Sequence, residues 1–156
     1  MEAPTQIRPK TLGDYLDVMS KSVFQSGMSW AVVEKKWATT REAFFDFDAL
    51  AVASLTTKQM NELGEDTRVI RNRRKLDAIV HNARTMIELE EQHGSFRKYL
   101  RSHADFEALV KDLRKRFKFL GDTGAYVFLY VVGEAVPEYE SWCASRGRTP
   151  VTVAGG

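Results

Sequence analysis

A chain of 156 residues, 44% hydrophobic and 28% charged, has room for one domain with a real core and an ordinary globular composition. Its formal net charge of +2 sets no global bias toward nucleic acid or membrane, so partners must be read from local patches. The single Cys143 excludes an intramolecular disulfide framework and fits a reducing cytoplasm, and three scattered histidines leave no metal-ligand cluster.

From the N-terminus, MEAPTQIRPK lacks the apolar stretch of a signal peptide. Thr11 is placed to cap a helix, with Asp14 as its capping-box partner, and Leu12, Tyr15, Leu16, Met19 and Val23 then recur at helical spacing. QSG ends that helix. Ser29 is placed to cap the next, which carries Trp30, Val33 and Trp37. Thr40, Asp48 and Thr56 are expected to cap three short helices, the last stopped by Gly64, with Asp46 and Asp48 of FFDFD as turn and cap residues. A long helix is predicted over 69–92, with Leu76, Ile79, Val80, Ala83, Met86 and Ile87 on one face and Gly94 at its end. Ser95 and Asp105 open two further helices. A last short helix is predicted over 138–144. No segment alternates with period two, and the longest apolar run, AYVFLYVV, is far too short to span a bilayer. The prediction is an all-α domain of short helices over 11–145, between disordered tails at 1–10 and 146–156.

The segment RFKFLGDTGAYVFLYVV reads as a hairpin: a helix ends near Arg116, a turn contains Gly121, and Asp122 or Thr123 caps an apolar helix. The outward N–H groups and dipole of that second helix make an anion site, beside which Arg116 and Lys118 add charge. A DNA phosphate suits it. The plain alternative is a helical corner with solvated basic residues.

Three ordered stretches resemble the 3-methyladenine DNA glycosylase I family of the helix–hairpin–helix glycosylase superfamily. QSGMSWAVVEKKW (25–37) is similar to its Gln-x-Gly-Leu-Ser-Trp segment. VIRNRRKLDAIVHNAR (69–84) is similar to its Ile-Ile-Arg-x-x-x-Lys-Ile-x-Ala-x-x-x-Asn-Ala-Arg helix, and FKFLGDT (117–123) to its Phe-Lys-Phe-Val-Gly-Thr-Thr hairpin. The resemblance runs over about residues 12–142. It implies a helix–hairpin–helix glycosylase-like fold and a monofunctional enzyme that flips an alkylated purine out of duplex DNA and hydrolyses its N-glycosidic bond.

The resemblance implies a base pocket around Ser22, Trp30 and Tyr126, with the indole face of Trp30 attracting a cationic base. Gln25, Gly27 and Met28 would plug and wedge the duplex. Arg68, Arg71, Arg73 and Arg74, which oppose the dipole of the long helix, would join Lys118, Gly121 and Thr123 in phosphate contact. Core roles for Trp30, Trp37 and Met28, solvated roles for the arginines, and structural pairing of Lys75 and Arg84 remain open readings.

The chain also departs from the pattern. The family's zinc-binding Cys and His near the N-terminus are absent, and its C-terminal pair falls on Glu138 and Trp142, so no metal and no cofactor are expected. Trp142 is expected to pack where the metal clip would sit. The family's pocket Glu falls on Ser22, which supplies a hydroxyl but no charge. Across the superfamily a Gly, a Pro and then a catalytic Asp follow the hairpin, and GEAVPEYE puts Glu138 and Glu140 there. Either could stabilise an oxocarbenium-like sugar, or Glu138 could simply cap the last helix. The partner implied is double-stranded DNA with alkylated or abasic sites, met by a cytoplasmic, nucleoid-associated monomer with no membrane contact. The alternative is a non-catalytic module that recognises distorted DNA.

Overall fold

The computed structural model describes residues 3–147, and the C-terminal tail expected from 146 lies outside them from 148 on. Among the described residues the elements are helical, with no strand. In order they are α1 (Leu12–Gln25), α2 (Trp30–Ala43), a 3-10 turn (Phe45–Phe47), α3 (Ala49–Ala53), α4 (Thr57–Gly64), α5 (Arg73–His93), α6 (Phe96–Leu100), α7 (Phe106–Arg116), α8 (Asp122–Val131) and α9 (Tyr139–Ser145).

The caps explain most of the boundaries. Thr11 and Asp14 form a reciprocal capping box on α1, and Thr56 and Gln59 form one on α4. Ser29, Asp48, Ser95 and Asp105 cap α2, α3, α6 and α7 through their side-chain oxygens. Three boundaries differ from expectation. Thr40 lies inside α2 and starts nothing, because its hydroxyl donates back to the Lys36 carbonyl at 2.7 Å. α5 begins at Arg73, not 69, because Asn72 accepts from the Lys75 N–H and so caps it. The cap of α8 is Gly121, with no side-chain hydrogen bond, so Asp122 and Thr123 lie within the first turn.

α5 is the longest element and packs against α1, α3, α4 and α6. α1 lies between α5, α8 and α2, and its Leu16, Met19 and Val23 are fully buried. Fully burying one such side chain contributes about 1.5–3 kcal/mol. Gly13 permits this arrangement: a Cβ there would sit 2.5 Å from the Phe47 carbonyl oxygen. Phe45, Asp46 and Phe47 all take left-handed φ values of 52–57°, and Phe44 and Phe47 are fully buried across that turn. Lys75 and Arg84 both hold backbone carbonyls and make no ion pair among the described residues. Arg84 Nε holds the Ala53 carbonyl at the end of α3, at 2.9 Å.

Residues 3–10, expected as a disordered tail, run as an extended strap along α8. The Ile7 N–H donates to the Val131 carbonyl at 2.7 Å, Gln6 Nε2 to the Tyr130 carbonyl at 3.0 Å, and Pro9 is buried. No helix among the described residues is long and apolar enough to cross a membrane.

Candidate active site

Two turns meet over the N-terminal half of α5. The first joins α1 to α2. Lys75 Nζ donates to the Phe24 carbonyl at 3.3 Å and the Ser26 carbonyl at 2.5 Å, so a cation closes the negative end of the α1 dipole. Burial pushes the Lys75 pKa down, and the ammonium lies 5.8 Å from the Phe24 ring centroid. Gly27 follows at φ 74°, a left-handed conformation that glycine adopts without strain. Trp30 opens α2. It is half-buried, and its indole makes no ring pair and no hydrogen bond among the described residues.

The second turn is the α7–α8 hairpin. Asn82, fully buried on α5, accepts from the Lys118 N–H at 2.9 Å and donates to the Lys118 carbonyl at 3.2 Å. This pairing satisfies both backbone groups at the hairpin tip and fixes the turn to α5. Phe119 takes φ 57° and is 40% exposed, and the Arg74 guanidinium lies 5.7 Å from its ring centroid.

Between the two turns lies a cleft of about 380 Å³. Ser22, Gln25, Ser26, Gly27 and Trp30 line one side, and Gly121, Asp122, Thr123, Gly124 and Val127 line the other. Six residues singled out in the sequence thus converge: Ser22, Gln25, Gly27, Trp30, Gly121 and Thr123. The side chains of Ser22 and Gln25 make no hydrogen bond among the described residues, although Ser22 is only 4% exposed. A second groove, about 940 Å³, runs from this cleft between the strap, α1 and α2.

Other expected site residues are placed elsewhere. Tyr126 is on another face of α8, 4.8 Å from the Trp142 ring, with its hydroxyl donating to the Pro137 carbonyl at 2.5 Å. Burial raises its pKa. Glu138 caps α9 by accepting from the Glu140 and Ser141 N–H groups, bonds that lower its pKa, and neither Glu138 nor Glu140 lines the cleft. Met28 is half-buried against the core rather than fully projecting. Arg68 is spent on Asp66 at 2.8 Å, and Arg73 on Asp77 at 2.9 Å and Asn61 at 2.8 Å. Arg71, Arg74 and Lys118 are exposed and meet no carboxylate among the described residues.

Trp37 belongs to the core: it is 2% exposed, stacks on Phe47 at 5.5 Å and donates to Asp17 at 2.7 Å. Trp142 lies in a ring cluster with Phe106, Tyr126 and Tyr139. With Glu138 committed to a cap and Trp142 to that cluster, this end does not fit a zinc site. No group of three potential metal ligands occurs among the described residues.

Two residues escaped the sequence reading. Asn82 sits on the apolar face of α5, and a polar residue between Ile79 and Ala83 was the available signal. Asp122, 5% exposed at the cleft, pairs with Arg114 and Arg146, each at 2.9 Å. It was read only as a cap.

The all-helical fold is that of a DNA glycosylase. The methyladenine glycosylase family model matches residues 14–110. DNA-3-methyladenine glycosylase 1 of Escherichia coli is 30% identical over 147 residues, covering 81% of this chain and 79% of the relative. The Haemophilus influenzae DNA-3-methyladenine glycosylase is 31% identical over 130 residues, covering 70% of each. In structure, the chain is similar to 3-methyladenine DNA glycosylase I from Staphylococcus aureus, with a TM-score of 0.73 at 29% identity, over 83% of this chain and 80% of the other. A tyrosine-to-phenylalanine variant of 3-methyladenine DNA glycosylase I in complex with 3-methyladenine gives 0.72 at 29% identity, over 83% and 81%. The chain belongs to the methyladenine glycosylase family.

Proposed function

We propose that the protein is a base-excision repair glycosylase that releases 3-methyladenine-type bases from duplex DNA and uses the cleft beside Trp30 as the base pocket. One observation carries this reading: Ser22, Gln25 and Trp30 from one turn and the start of α8 from the other face a single cleft, with polar groups unspent. A flipped cationic purine would stack on the Trp30 indole, an attraction on the order of 0.5–2 kcal/mol. The Ser22 hydroxyl and the Gln25 amide would hydrogen-bond its edge. The positive charge already activates the base as a leaving group. As the C1′–N bond breaks, its electron pair stays with the base, which departs neutral; water adds to C1′ and its proton is lost to solvent. No lysine lines the cleft, so the reaction is direct hydrolysis without a Schiff base.

The DNA backbone would lie over the hairpin and the start of α5. Arg71, Arg74 and Lys118 are available to phosphates there, beside the start of α8 with its positive dipole end. Asp122 sits in that first turn, but Arg114 and Arg146 offset its charge. A cytoplasmic monomer acting on damaged double-stranded DNA suits this arrangement.

A non-catalytic damage-binding module is the second reading. It is favoured by the carboxylates: Glu138 and Glu140 lie away from the cleft, and Asp122 is committed to arginines. Incubation with methylated duplex separates the two. Release of free 3-methyladenine supports the enzyme, whereas tight binding without release supports the module.

A further inference from the structure

The cleft continues past the space a methylated purine requires. Ser22, Gln25, Trp30 and Val127 line both the 380 Å³ cleft and the 940 Å³ groove, so the two are continuous around the indole. Pockets of about 300–1,000 Å³ hold drug-sized ligands. The cleft alone therefore accommodates a bare purine, and the groove adds room for a further ring or chain.

The groove's lining indicates what it would take. Val18, Ala31 and Val131 give it an apolar strip. Of its rim charges, Lys21 pairs with Glu34 and Asp17 with Arg41 at 2.8 Å, whereas Arg8 and Lys35 meet no carboxylate among the described residues. An uncharged alkyl or aryl chain suits the apolar strip and needs no polar partner there, whereas an anionic chain would be drawn to Arg8 and Lys35 at the rim instead. The strap forms the far wall, held in register by the bond from Ile7 to Val131.

We infer that the protein excises purines carrying uncharged alkyl or arylalkyl substituents larger than methyl, with the purine in the cleft and the substituent in the groove. The inference rests on the base-excision reading above. Duplex DNA alkylated with a methylating or a benzylating agent is incubated with excess enzyme, and released N3-methyladenine and N3-benzyladenine are quantified by mass spectrometry. The benzylated base should be released within about tenfold of the methylated one, the discrimination one poorly contacted group supports. Ala31→Trp, which fills the groove but not the cleft, should suppress benzyladenine release by about tenfold or more while leaving methyladenine release and melting temperature near wild type. Release of methyladenine without benzyladenine would overturn the inference and leave the base-excision reading standing. Equal effects of Ala31→Trp on both bases would also overturn it. Release of neither base would overturn both.

Discussion

The cleft and the α9 end of the molecule use similar residue types to opposite ends. At α9, most polar side chains are committed, although the Arg146 Nε is buried without a partner among the described residues. Tyr126 donates to Pro137, Trp142 Nε1 to Glu107 at 3.1 Å, and Glu138 caps the helix. The Arg146 guanidinium lies 4.7 Å from the Trp142 ring while pairing with Asp122 and Glu107. At the cleft, the Trp30 indole, the Ser22 hydroxyl and the Gln25 amide have no such partners among the described residues, and α8 starts without a side-chain cap. These groups face an open cleft and so remain available to a ligand, the basis of the proposed base pocket. The α9 end stabilises the fold, and the cleft is the proposed base pocket.

The largest contrast should come from Trp142→Ala. Removing a ring that is 3% exposed should cost about 3–5 kcal/mol of stability, while base release per folded molecule stays near wild type. If thermal melting held and release collapsed, the two regions would be exchanged. Met28 lies between these extremes. Its half-burial predicts that Met28→Ala loses about 1–2 kcal/mol, less than a fully buried methionine, and also weakens binding to abasic duplex more than to intact duplex. Paired denaturation and binding titrations read both effects, and a loss confined to stability would make Met28 purely a core residue.

Smaller effects sharpen the comparison. Lys118→Gln should weaken binding to all duplexes alike and flatten the dependence of log affinity on log salt by about one unit. A changed sequence preference at constant slope would argue against phosphate contact. Glu138→Gln should lower the melting temperature slightly and leave base release unchanged. The Glu138 pKa is lowered from 4.5, chiefly by the Glu140 N–H, so the carboxylate's contribution is present above that pH and lost as the pH falls through the lowered value. The melting difference between wild type and variant should therefore close in acid. A large loss of release would restore Glu138 to the catalytic role that the sequence suggested.

Local features were legible in the sequence, and directional ones were not. Caps such as Thr11, Ser29 and Asp105 depend on a few neighbouring residues, so their helices could be placed. Thr40 misled because its hydroxyl can bond back into its own helix. Tyr126 misled for another reason: α8 is buried nearly all round, so its composition carries no record of which side faces the cleft. The pairing of Arg73 with Asp77 follows ordinary helical i,i+4 spacing and could have been foreseen. The strap could not, because its hold on α8 is made by the Ile7 backbone and the Gln6 amide, which no periodicity announces.

The most direct test concerns Trp30. Wild type and Trp30→Ala are compared for single-turnover release of 3-methyladenine from methylated duplex, with melting temperature read on the same samples. The cleft assignment predicts release by wild type and a drop of about tenfold or more in the variant, the size expected for losing a stacking contact worth about 1–3 kcal/mol, with little change in melting. Undiminished release by the variant, or a loss of release matched by a comparable loss of stability, would contradict it.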